Sequence, residues 1–313
     1  KTVSPSSFAI RPDDFFGIAP KLILKEGASV KLGSPIFFSK KNPNIKFVSP
    51  VAGTITSVVR GPKRKIENII IKASNKQDSI KHSVSGWDKK NRDELKSLLT
   101  SSGNWPFIHQ RPYGTIANPT DTPKAIFVST VKTDPLHGDL QFILKDQKND
   151  FQLGINLLNK LVDQPVFLGV EKEFSDYFKS IEGVQHYTVR GPHPAGNLSL
   201  HIQELTPLNI GERIWTVNAE DVANLGRFLT SGIFCPRRTM AISGNAVEHP
   251  RYFQTTIGAE LQPFLRKVGT IDKKIRVING DVLTGDDSTF NSFLGYFNNL
   301  VTVIPEGDEY RMF

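Results

Sequence analysis

Apolar and polar residues alternate at period two along residues 20–73, and Gly27, Gly33, Pro35, Pro50, Gly53 and Gly61 punctuate the pattern. Successive strand side chains point to opposite faces, so this rhythm predicts short strands joined by tight turns. KEGASVKLGSPIF reads as strand, turn and strand. KFVSPVAGTITSVV reads as two strands meeting at a corner where Gly53 relieves crowding. RGPKRKIENIIIKA is a basic turn feeding a buried strand, Ile69–Ile71. Residues 1–77 are therefore expected to form a small all-β barrel.

From Trp87 the period lengthens. DKKNRDELKSLLTSSGNW places Leu95, Leu98 and Leu99 on one helical face and Gly103 at a stop. RPYGTIANPTDTP then reads as a connector, so residues 78–122 are expected to be a helix followed by a Pro-rich link. Over 123–232 strands and helices alternate: KAIFVST, FQLGINLLNKLV, PVFLGV, KEFSDYFKSI, VQHYTV and RIWTVNAEDVANLGRFLTSG, the last ending at Gly232. Such alternation predicts a parallel, Rossmann-like α/β layer. Residues 233–313 revert to short strands in TMAISGNAV, RYFQTTIG, IRVING and LVTVIPEG, with a strand, turn and helix in FQTTIGAELQPFL. A β-grasp-like α+β unit fits that order, and the whole chain reads as multidomain α+β.

Composition narrows the function classes. No apolar run approaches the about 20 residues that cross a bilayer as a helix. The chain starts at Lys1 and ends at Glu309–Phe313 in what reads as mid-fold, so both ends are expected to be cut from a longer protein. Its single cysteine excludes a disulfide within the chain and an all-cysteine metal site, and Cys235 is expected to be a packed small side chain. The net charge is +8, and residues 1–75 hold thirteen Lys/Arg against four Asp/Glu. All of the excess is N-terminal, and such a basic face attracts phosphates, anionic lipid or an acidic partner. Interleaved aromatics at an RNA-binding spacing are missing, so nucleic acid is not an expected partner.

The chemistry-bearing strings are few. Lys40-Lys41 lies at a hairpin tip, where biotinyl and lipoyl domains carry their modified lysine. The acidic residue or methionine that flanks that lysine is absent, and Pro43 follows. The barrel thus shares the carrier pattern without its attachment signal. The first βα turn of the α/β layer, VKTDPLHGDL, is too poor in glycine to cradle a pyrophosphate, although Gly138 leaves some room. RGPHPAGNLSLHI is the densest unusual stretch: Gly191, Pro192, Pro194, Ala195 and Gly196 form a rigid loop projecting His193, with His201 eight residues on. No third or fourth ligand accompanies the two histidines in a zinc-like spacing.

FFGIAPKLILKEGASVKLG, KNPNIKFVSPVAGTI with RGPKRK, AIFVSTVKTDPL, RGPHPAGNLSLHI, IWTVNAEDVANLGRFLTSG and FLGYFNNLVTVIPEG, running from about Asp13 to Gly307, resemble one family. It is the A subunit of the bacterial sodium-translocating NADH:quinone oxidoreductase. The resemblance implies a barrel-sandwich hybrid first domain, a Rossmann-like second domain without the glycine-rich loop, and an SLBB-type third domain. It also implies a peripheral component on the cytoplasmic face of the bacterial inner membrane, in a complex that oxidises NADH, reduces ubiquinone and exports sodium. Distant relatives of the family hold flavin or iron–sulfur clusters through glycine-rich loops and cysteine sets. Neither occurs here, so the implied chain carries no redox cofactor, and NAD and flavins belong to other subunits. The implied partners are those subunits, especially one embedded in the membrane, ubiquinone, and anionic lipid against the basic barrel. The family's quinone-facing segments match Phe15, Phe16 and Gly17, and the stretch from Phe127 through Lys132, Thr133 and Asp134. His193 is a further hydrogen-bond donor. One departure is Lys132, which stands where the family's MDTNPL string has an acid. Two readings stay open beside quinone binding: a scaffold with the quinone site elsewhere, and a biotin or lipoyl carrier.

Overall fold

The computed structural model describes residues 3–171, 176–271 and 274–308. The first half of the helix expected in KEFSDYFKSI and the Glu309–Phe313 end lie outside the described residues; Asp176–Lys179 is helical.

The N-terminal barrel has two sheets. Ser7–Ile10, Ile66–Ala73, Gly53–Arg60 and Ser29–Val30 form one, and Pro20–Leu22, Pro35–Ser39 and Asn42–Val48 the other. Ile55, Phe37, Phe47, Ile69 and Ile71 fill the space inside. Ile70, expected to be buried with its neighbours, is only half-buried, because strand side chains alternate even within an unbroken Ile run. At the corner a Cβ on Gly53 would lie 2.1 Å from the Lys72 carbonyl oxygen, so no other residue fits there. Lys40 and Lys41 form the tip of the hairpin in which Ser39 faces Asn42.

The helix Arg92–Ser101 begins with a capping box, Asn91 Oδ1 accepting from Glu94 N while the Glu94 carboxylate accepts from Asn91 N. The segment expected to be a connector also contains a strand pair, Ile108–Arg111 and Thr115–Ile116, which joins the edge of the central sheet through Ile214–Asn218. The Ile-His-Gln-Arg run has no apolar alternation, so only its pairing reveals it as a strand.

The central sheet continues with four parallel strands in the spatial order Gln185–Val189, Val166–Glu171, Ile126–Ser129 and Ile214–Asn218. Chain order reverses between Ile126–Ser129 and Ile214–Asn218, the switch point of a doubly wound sheet. The helices Lys148–Leu161 and Ala219–Ser231 pack together on one face. A Cβ on Gly226 would sit 1.8 Å from the Asp150 carbonyl oxygen and one on Gly154 2.0 Å from that of Val222. The helix Leu198–Leu205 covers the other face, over Ala125, Phe127 and Ile214.

The third unit is a mixed sheet in the order Arg251–Thr256, Arg237–Ser243, Leu300–Pro305, Ile275–Asn279 and Asp286–Ser288, backed by the helix Gln262–Val268. All three units share one continuous core. Ala9 N donates to Gly258 O at 2.8 Å, and Tyr296 N donates to the Asp14 carboxylate at 2.9 Å. Arg238, 1 % exposed, is paired with Asp221 at 2.9 Å and Glu220 at 3.4 Å, tying the helix Ala219–Ser231 to the third sheet.

Candidate functional site

The carboxyl ends of the parallel strands bring together two of the expected segments. After Ser129 the chain is pinned by Thr130, whose N–H and hydroxyl both donate to the Gly169 carbonyl. Lys132, Thr133 and Asp134 follow. Thr133 Oγ1 accepts from Gly196 N at 2.9 Å and lies 3.4 Å from His193 Nδ1. Asp134 sits between two basic side chains, 3.6 Å from His193 Nδ1 and 4.0 Å from Lys132 Nζ. The loops meet this closely because Gly196 has no side chain: a Cβ there would lie 2.8 Å from the Thr133 nitrogen. Lys132, Asp134 and His193 therefore form one solvent-facing polar cluster at the switch-point end of the sheet.

His201 has a different task. It is buried, its Nε2–H donates to the Ala195 carbonyl at 2.7 Å, and its Nδ1 accepts from the Tyr187 hydroxyl at 2.9 Å. Burial raises the Tyr187 pKa, which keeps that proton in place. With both nitrogens used, His201 holds the 191–196 loop and leaves none for a ligand. Asn197 closes the loop by accepting from Ser199 N as the N-cap of the next helix.

The expected aromatics separate. Phe127 is fully buried, stacked on Phe167 with centroids 4.8 Å apart beneath the helix Leu198–Leu205. Phe15 is also core: its ring meets Phe47 at 4.4 Å, Tyr296 at 4.7 Å and Phe297 at 5.6 Å, where the barrel joins the third unit. Burying such a ring contributes on the order of 2 to 3 kcal/mol. Neither residue lines an open site.

Phe16 does. It is 69 % exposed and, with Gly17, forms the lip of a cavity of about 290 Å3. Ile18, Ile45, Phe47 and Ile116 supply the apolar wall, and Lys41, Asn42 and Asn118 the polar groups. The Asn42 amide donates to Asn118 Oδ1 at 3.3 Å across the joint between barrel and central sheet. Gly17 adopts a φ of +79°, and a Cβ there would meet Thr115 at 3.2 Å. The sequence pattern offered no signal for Thr115–Asn118, because Thr115–Ile116 pairs with Ile108–Arg111, whose own place is set by pairing with the distant strand Ile214–Asn218. This cavity adjoins Thr115–Ile116, at the sheet edge remote from the strands that carry Thr133 and His193. The expected quinone-facing residues thus occupy two sites and the core.

Cys235 is half-buried rather than packed away, and its thiol donates to Asn224 Oδ1 at 3.4 Å. Among the described residues no group of three or more His, Cys, Asp or Glu is placed to hold a metal ion.

Three domain families match in sequence. They are the NqrA N-terminal barrel-sandwich hybrid domain over residues 1–74, the NqrA second alpha/beta domain over 90–234, and the NQRA C-terminal domain over 239–289. The A subunit of the Na(+)-translocating NADH-quinone reductase of Rhodopirellula baltica is 34% identical over 305 residues, covering 96% of this chain and 67% of that protein. The chain belongs to the NqrA family of this reductase. The proteins of the same name from Haemophilus influenzae, 32% identical, and Alcanivorax borkumensis, 30% identical, each align with 97% of the chain and with 69% and 68% of their own length. The chain thus spans about two thirds of the relatives it matches. Family membership makes it a subunit of an oxidoreductase complex, built from the barrel-sandwich, α/β and SLBB domains expected from its sequence. Among the described residues no helix is long and apolar enough to cross a membrane.

Proposed function

We propose that the chain is the peripheral, cofactor-free subunit of a sodium-pumping NADH:ubiquinone oxidoreductase, at the cytoplasmic face of the bacterial membrane, and that it contributes to quinone binding through the cavity behind Phe16 and Gly17. The observation that carries this reading is the cavity itself. Of the expected aromatics only Phe16 is accessible, and it guards an apolar wall with a few polar groups at its rim. A quinone ring needs that combination, because its faces are apolar and its two carbonyl oxygens need donors. The Lys41 ammonium is free for that role, since it makes no hydrogen bond or ion pair with a described residue. NAD and flavin chemistry is assigned to other subunits, and the lysine-rich barrel to docking on a membrane subunit or anionic lipid.

Titration of the chain with a short-chain ubiquinone, followed by NMR line broadening of the quinone, tests the reading. Saturable binding is expected, weakened roughly tenfold by Phe16→Ala and unchanged by His193→Ala. The reverse pattern would move the quinone to the carboxyl edge of the sheet. No saturable binding would leave assembly as the role of the chain.

A further inference from the structure

Barrel, central helices and third sheet meet at a groove of about 700 Å3. Leu32 and Val51 reach it from the barrel, Ile233 and Phe234 from the segment after the helix Ala219–Ser231, and Thr255 from the third sheet. Past Val51, Gln77 and Arg237 it opens into a second hollow of about 640 Å3. None of these residues belongs to the Phe16 cavity.

Arg237 stands where the two hollows join. Its Nε is closed off from solvent without an acceptor, and its side chain makes no hydrogen bond or ion pair with any described residue. Thr255 Oγ1 beside it is likewise buried without a partner. The neighbouring carboxylates are committed elsewhere: Asp150 pairs with Arg227 at 2.9 Å, and Glu220 pairs with Arg238 and accepts from Thr239 N at 2.6 Å. Burial and then the nearby Arg227 charge push the Arg237 pKa down, and Cys235, Glu220 and Asp150 offset this only in part, so the fold holds a cation without a direct counter-ion. The Nη groups are not closed off in this way and have no partner either, so an anion in the groove would supply the acceptors that the fold does not.

We propose that this groove binds an amphiphilic anion, a carboxylate or phosphate monoester on a short apolar chain. Arg237 takes the head group and Ile233, Phe234 and Leu32 the tail. A guanidinium offers two parallel N–H donors that match carboxylate and phosphate oxygens. The orientation follows from the helix Ala219–Ser231, whose last turn supplies Thr230 and Ser231 to the groove. Its carbonyl end is the negative pole of the helix and disfavours an anion there. The head group therefore lies at the Arg237 end. The volume is in the usual range for a small-molecule site, roughly 300 to 1,000 Å3.

The single cysteine of the chain, Cys235, lines the groove and reports its occupancy. The rate at which an uncharged maleimide alkylates Cys235 is measured with octanoate, octyl phosphate or octanol. Either anion is expected to slow alkylation saturably while octanol at equal concentration does not. Arg237→Gln should weaken the protection at least roughly tenfold, and Arg237→Lys should restore part of it. Protection by octyl phosphate alone assigns the phosphate head, and protection by octanoate alone the carboxylate. Equal protection by octanol, no protection by either anion, or protection unchanged in Arg237→Gln overturns the proposal. Should Arg237→Gln fail to fold, the comparison of octanoate and octyl phosphate with octanol in the unaltered chain decides it.

Discussion

Histidines in this chain are separated by what their nitrogens touch. His201 spends both on Tyr187 and Ala195 and positions a loop, whereas His193 faces Asp134 and solvent. His109 is half-buried, with its ring 4.4 Å from that of Phe297, and desolvation together with the nearby Arg111 charge pulls its pKa down to about 4. An unfolded histidine takes up its proton near pH 6.5. Between those values the unfolded chain binds more protons, so stability rises with pH. The contribution is complete above about pH 6.5 and is lost as pH falls toward 4, on the order of 2 kcal/mol for this one group. Urea midpoints at pH 7 and 4.5 should therefore fall less in His109→Gln than in the unaltered chain. Equal falls would show that His109 does not report its burial.

Elements meet closely where glycine allows it. The helices Lys148–Leu161 and Ala219–Ser231 cross with Gly154 and Gly226 each against a carbonyl of the other helix. Gly226→Ala raises helix propensity locally, by about 1 kcal/mol. It also forces a methyl into 1.8 Å from the Asp150 oxygen, which the backbone must relieve by separating the helices. The steric effect wins, and a net loss of about 2 kcal/mol is expected, read as a lower thermal midpoint. An unchanged or raised midpoint would mean that the crossing is looser than its geometry. Both glycines lie inside stretches that the sequence reads as helices, but which backbone they face depends on the crossing. The signature loop shows the same division. Gly191–Gly196 stands out as a string, while the contact of Gly196 with Thr133 joins residues 63 positions apart.

At the scale of the whole molecule, the three units share one core and a buried ion cluster, so they are expected to unfold in a single cooperative transition. Arg238 is the test. Burial pushes the pKa values of Glu220 and Asp221 up, and Arg238 is the cation that holds both. Arg238→Ala leaves two buried carboxylates unpaired and should cost about 3 to 5 kcal/mol. Urea unfolding followed by tryptophan fluorescence and by circular dichroism would show it as a lowered midpoint. Separate transitions in the unaltered chain would mean that the units fold independently.

The sequence by itself determined the order and kind of the domains, because strand and helix periods and their turn residues are local properties of the chain. It also carried the family, through strings such as RGPHPAGNLSLHI that survive as contiguous text. Tertiary structure alone decided which of the chosen residues line a cavity. Phe15 and Phe16 are neighbours in the chain with the same chemistry, yet one is the hub of an aromatic core and the other a cavity lip. Only the packing of the barrel, against the third unit on Phe15's side and against the central sheet on Phe16's, separates them. For the same reason the missing hydrogen-bond partner of Arg237 was invisible beforehand. Whether an arginine has a counter-ion depends on what its neighbours in space, not in sequence, have already bound.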